Sequence, residues 1–84
     1  MRHATAAGLD EIDDFVRELR GVDGLKEKSR GVFYRGSRAF LHFHEDPSGL
    51  YADVRVDADF ERMRVTTKAE RKRVLSLVRA VARR

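Results

Sequence analysis

The reading of this chain turns on Ala39-Phe40-Leu41-His42-Phe43-His44, then Asp46-Pro47-Ser48-Gly49, then Leu50-Tyr51-Ala52-Asp53-Val54-Arg55-Val56. Two alternating segments flank a turn whose Pro presets the backbone and whose Gly closes it. If Asp46–Gly49 is a four-residue turn, the register is fixed. His44 then lies opposite Tyr51, Phe43 opposite Ala52, His42 opposite Asp53, Leu41 opposite Val54 and Phe40 opposite Arg55.

Upstream, Val32-Phe33-Tyr34 is joined to the same segment across Gly36-Ser37, a two-residue type II′ hairpin signal. That turn sets Tyr34 opposite Ala39, Phe33 opposite Phe40 and Val32 opposite Leu41. One sheet face then holds Val32, Tyr34, Ala39, Leu41, Phe43, Leu50, Ala52, Val54 and Val56, the expected core. The other holds Phe33, Phe40, His42, His44, Tyr51, Asp53 and Arg55. Slipping the register by one residue would bury the histidines with Asp53 and Arg55, a costly exchange.

On the N-terminal side, Leu9, Ile12, Phe15, Val16 and Leu19 recur at helical spacing, and Gly21 supplies a stop. The spacing predicts a helix over Leu9–Arg20, its first turns acidic as the helix dipole favours. Met1–Gly8 reads as a flexible terminus without the apolar stretch of a signal peptide. Val22–Arg30, polar and carrying Gly24, reads as a loop. On the C-terminal side, Asp57–Arg62 reads as a turn and Met63-Arg64-Val65 as a short edge strand. Thr67-Lys68-Ala69-Glu70 has capping-box spacing ahead of a second helix with Val74, Leu75, Val78, Val81 and Ala82 on its apolar stripe. The order α-β-β-β-(β)-α predicts a single α+β domain over residues 1–84, with a small antiparallel sheet and both helices packed on one face.

With 84 residues and no cysteine, the chain has room for one modest core and offers neither disulfides nor thiolate metal sites. The absence of disulfides in so small a domain leads us to expect a cytoplasmic protein. No apolar run reaches the length of a membrane span. Residues 1–27 carry 4 basic and 7 acidic residues, and residues 60–84 carry 9 and 2. The basic end suits nucleic acid or an anionic surface. The alternative is that the acidic front and basic back face each other in the fold.

Three places could carry chemistry. His42 and His44 alternate on one strand, so their side chains share a face. With Asp53 across from His42, the three could ligate zinc, or Asp53 could fix the His42 tautomer and leave that ring as a general base for a small enzyme. Phe33, Phe40 and Tyr51 with Arg55 form an aromatic platform that would suit a ligand, a protein partner or a weak homodimer. Lys68, Arg71, Lys72 and Arg73 at the start of the last helix are the nucleic-acid candidate. No nucleophile motif, P-loop or dinucleotide fingerprint is present, and no cofactor is expected, zinc at His42, His44 and Asp53 being the one alternative.

The block Arg38–Asp46 with Gly49–Arg55 resembles short bacterial proteins of uncharacterised function and the sheet of small luciferase-like or YjbR-like domains. The resemblance covers about half the chain and implies a small α+β fold without assigning catalytic residues. The leading expectation is a non-enzymatic binding or interaction module that uses the open sheet face. The other readings are the metal-dependent or general-base enzyme on His42, His44 and Asp53 and the nucleic-acid-binding domain.

Overall fold

The computed structural model describes residues 1–84. In chain order the elements are β1 (Arg2–His3), α1 (Ala6–Glu11), α2 (Asp13–Arg20), β2 (Leu25–Ser29), β3 (Val32–Arg35), β4 (Arg38–Asp46), β5 (Gly49–Arg55), β6 (Phe60–Arg64) and α3 (Lys68–Ala82). The strands form one antiparallel sheet in the order β2-β3-β4-β5-β6, with β1 paired to the far end of β4. Three helices and this sheet make the α+β fold.

Local chemistry sets the two hairpins. Asp46 pairs with Gly49, and its Oδ1 accepts a hydrogen bond from Ser48 N at 2.8 Å, an Asx-type closure of the turn. The pairs His44–Tyr51, Phe43–Ala52, His42–Asp53 and Leu41–Val54 follow as the turn requires. At the other hairpin Arg35 pairs with Arg38, and φ is +63° at Gly36 while Ser37 stays negative. A positive φ at the first central residue alone is the II′ pattern, which glycine adopts without steric cost.

The β3–β4 pairing departs from the expected register. Tyr34 faces Ala39 as expected, but Phe33 faces Leu41, and Phe40 is left as an extra residue in a bulge. Paired residues share a face, so Phe33 joins Leu41 on the core side, and Phe40 is buried as well. Phe33 and Phe40 are therefore core residues and no part of an exposed aromatic platform. Val32 and Tyr34, expected in the core, are half-buried, and the Lys28 ammonium sits 5.3 Å from the Tyr34 ring centroid. Burying two large aromatics is worth several kcal/mol at about 25 cal/mol per Å², which outweighs the broken ladder.

Both helical segments cover one face of the sheet. Leu9, Ile12, Phe15, Val16 and Leu19 meet Val74, Leu75, Val78 and Val81 over Phe33, Leu41, Phe43, Leu50, Ala52 and Val54 in a single cluster. The first helix begins earlier than its apolar stripe, because Thr5 caps it by accepting a hydrogen bond from Gly8 N at 3.2 Å. It is broken at Ile12, whose φ of −114° is not helical. Thr67 and Glu70 form the full capping box of α3, with Thr67 N donating to Glu70 Oε1 at 2.9 Å and Glu70 N to Thr67 Oγ1 at 3.1 Å.

Three stretches differ from the sequence reading. Leu25–Ser29, expected within a loop, is an edge strand paired with β3. Phe60–Arg64 is the strand that was placed a few residues later. The expected flexible terminus instead carries β1 and the first turn of α1. Arg2 pairs with Glu45 and His3 with His44, and Ala4 N donates to Phe43 O at 3.0 Å. The Glu45 carboxylate accepts from Thr5 N at 2.6 Å and from the Thr5 hydroxyl at 2.9 Å, tying the chain start to β4. No helix is long and apolar enough to cross a membrane.

Candidate metal centre on the open sheet face

The face of the sheet away from the helices is built from cross-strand rows. His3, His44, Tyr51 and Arg64 form one row across β1, β4, β5 and β6, and His42, Asp53 and Arg62 form the next. Register alone therefore brings His3, His42 and His44 to one spot, and these are all the histidines the chain has. One ligand-capable atom of each lies within 4.8 Å of the others, so this group could hold a metal ion. His3 stacks on His44 at 4.6 Å between ring centroids, and His42 meets His44 edge-on at 4.9 Å. Phe60 closes the other side of His42, its ring 4.8 Å away and edge-on.

Two polar atoms in this cluster are buried without a hydrogen-bond partner, His42 Nδ1 and His44 Nδ1. Orphaned buried polar groups are rare and costly, at about 1–3 kcal/mol each. Burial lowers the pKa of both imidazoles below the ordinary 6.5, more than the nearby Asp53 charge raises it. Near pH 7 both rings are therefore neutral, the form that binds metal.

Asp53 plays a different part from either one expected of it. It sits opposite His42 in register, but both its oxygens are taken by Arg62, at 2.8 Å each in a bidentate pair. That pairing holds the Asp53 carboxyl below its ordinary range. Its Oδ2 is nearest to His44, 3.2 Å from Nδ1, close enough for a hydrogen bond but not aligned for one. The third member of the cluster is His3, not Asp53. A histidine in a two-residue strand has no periodicity around it to announce its place; its type was the only signal.

The other expected site residues are spread out. Tyr51 shares the row of His44, and its hydroxyl hydrogen-bonds the Ser48 hydroxyl at 2.6 Å. Arg55 lies over the Phe60 ring at 4.3 Å and donates to Ala39 O and Ala58 O, so it buttresses the β5–β6 turn. Three of the four basic residues expected at the start of α3 share one groove: Lys68, Arg71 and Lys72 line it with Asp14 and Glu18 of α2, and Arg71 also donates to Val65 O and Thr66 O. Arg73 points to the opposite flank, beside Met63 and Leu77. Acidic α2 and basic α3 thus face each other. Set against protein-family models, curated proteins and solved structures, the chain matches none of them.

Proposed function

We propose that this chain is a metal-binding module that takes one zinc-class divalent ion on its open sheet face through His3, His42 and His44. The observation that carries this reading is the meeting of the three imidazoles within 4.8 Å. Tetrahedral zinc with Zn–N bonds of about 2.0–2.1 Å sets its ligands about 3.4 Å apart. Closing to that geometry requires shifts of about an ångström, within the reach of side-chain rotation. The orphaned Nδ1 atoms and the neutral state of the buried rings support the same reading. Asp53, locked by Arg62, is a positioning residue in this account. Its carboxylate lies 3.2 Å from the orphaned His44 Nδ1, so the small ring rotation that metal binding requires would align the two, fix the tautomer and leave the other nitrogen for the metal. Three protein ligands leave a fourth position for water or for a group from a partner, which keeps the site within the broader expectation of a binding module.

Zinc titration of the tag-free protein, followed by calorimetry and by the imidazole proton signals, tests this. Stoichiometric binding is expected, with all three histidines shifting together. His3→Ala, an exposed residue whose loss leaves the core intact, should weaken binding by about tenfold or more, since even outer-shell partners are worth about 10–100-fold. Unchanged affinity in that variant, or silent imidazoles at one equivalent of zinc, would sink the proposal.

A further inference from the structure

The hairpin joining β3 to β4 opens on a repulsion. Arg35 and Arg38 stand directly opposite each other, and like charges so placed destabilise a sheet. Both line one cavity of about 250 Å³ together with Arg55 of the neighbouring strand. None of these three arginines enters an ion pair. Asp57 is the one acidic residue of the cavity, and its carboxylate already lies 3.4 Å from Arg84 Nη1, which also donates to Val56 O at 3.2 Å. Four guanidiniums therefore gather around one carboxylate, an excess of three positive charges (4 − 1). Phe40 and Val56 back the cavity, and apolar walls strengthen a charged contact made against them.

We infer that this cavity binds a small ligand through a phosphate or diphosphate group. A guanidinium presents its N–H donors in a fork that matches phosphate oxygens two at a time. Arg55 is held ready for such a contact. Its Nε donates to Ala39 O at 2.8 Å and its Nη1 to Ala58 O at 2.6 Å, with the Phe60 ring 4.3 Å away, which leaves Nη2 without a partner. Arg35 uses one donor on Arg84 O. A carboxylate would neutralise one charge of the excess, whereas a phosphate monoester carries about −1.5 to −2 near neutral pH and a diphosphate more. Bridging Arg35 and Arg38 also removes their repulsion. A nucleic-acid backbone needs a continuing basic track, and the basic residues at the start of α3 instead share their groove with Asp14 and Glu18. The site is separate from the histidine cluster, since Arg38 opens β4 while His44 and Glu45 pair with β1 near its other end.

The test titrates inorganic pyrophosphate into tag-free, metal-free protein at constant ionic strength, followed by amide chemical shifts. Saturable shifts centred on residues 35–39 and 55–57 are expected, with no saturable response to acetate. Arg38 is exposed and outside every ion pair, so Arg38→Gln tests the site without disturbing the core. It should weaken pyrophosphate binding by about tenfold, the worth of one hydrogen bond to a charged group. Arg79→Gln, which removes the same charge from the far end of α3, should leave the affinity unchanged. Equal loss in the two variants, an Arg38→Gln protein that binds as tightly as the parent, or shifts centred on residues 68–72 would each overturn the inference. So would a short single-stranded oligonucleotide that shifts the same residues at lower concentration than pyrophosphate, since it would assign the arginines to a nucleic-acid backbone.

Discussion

Asp53 and Arg62 show how one pair sets the chemistry of its neighbours. The guanidinium occupies both carboxylate oxygens and sets a positive charge beside the histidines that opposes the pull of Asp53. At His44 burial outweighs the Asp53 charge, and the pKa falls. In Arg62→Ala the carboxylate is released 3.2 Å from His44 Nδ1 and a nearby positive charge is removed. Both changes favour the imidazolium. The His44 titration midpoint, followed by proton NMR in metal-free protein, should move up in this variant, and that of His42 should follow in the same direction by a smaller amount. A midpoint that stays or falls would show that the pair does not govern the imidazole. The same substitution should destabilise the protein more than Arg79→Ala, which removes an exposed arginine at the far end of α3.

Among the elements, β4 decides most of the fold. Its second half was legible, because Asp46-Pro47-Ser48-Gly49 carries explicit turn chemistry and the flanking residues alternate cleanly. Its first half was not. The II′ turn was read correctly at Gly36-Ser37, yet the bulge two residues later follows from packing against helices distant in sequence, which no local pattern encodes. The consequence is measurable at Phe40. As a core residue at 2% exposure, its truncation in Phe40→Ala should cost about 3–5 kcal/mol in urea unfolding. On an exposed platform the same change would cost well under 1 kcal/mol. The β2 strand escaped notice for a related reason: Lys-Glu-Lys has charged residues on both faces, so an edge strand there looks like a loop. His3 could not have been placed in the sheet from its neighbours. His42 and His44 could be, and the face they share was correctly assigned.

For the whole molecule, carboxylates fasten the ends and edges of the elements. Glu45 holds the N-terminal segment, Glu27 joins Arg20 and Gly31 N, Asp53 joins β5 to β6, and Glu70 caps α3. Each carboxyl has its pKa lowered, by hydrogen bonds from those partners. His42 and His44 are lowered by burial. For all of them the unfolded chain holds protons more tightly, so stability is greatest above the unfolded values and is lost as pH falls. Metal-free protein should lose thermal stability in two stages on acidification. The first begins near the ordinary imidazole value of 6.5, and the second below the ordinary carboxyl values of 4.5 and 3.8. A melting temperature that is flat from pH 7 to pH 5 would show that the imidazoles are not buried as neutral groups.

The position of His3 bears on how the protein can be handled. Met1 precedes a strand that lies against β4, so anything joined to that end emerges beside the three imidazoles. A polyhistidine tag placed there would bring further ligands to the same ion, and the affinity measured would describe the hybrid. The tag also has an untagged counterpart within the chain: nickel resin could retain the native protein. A tag at Arg84 would start from the helix layer, across the sheet from the histidines.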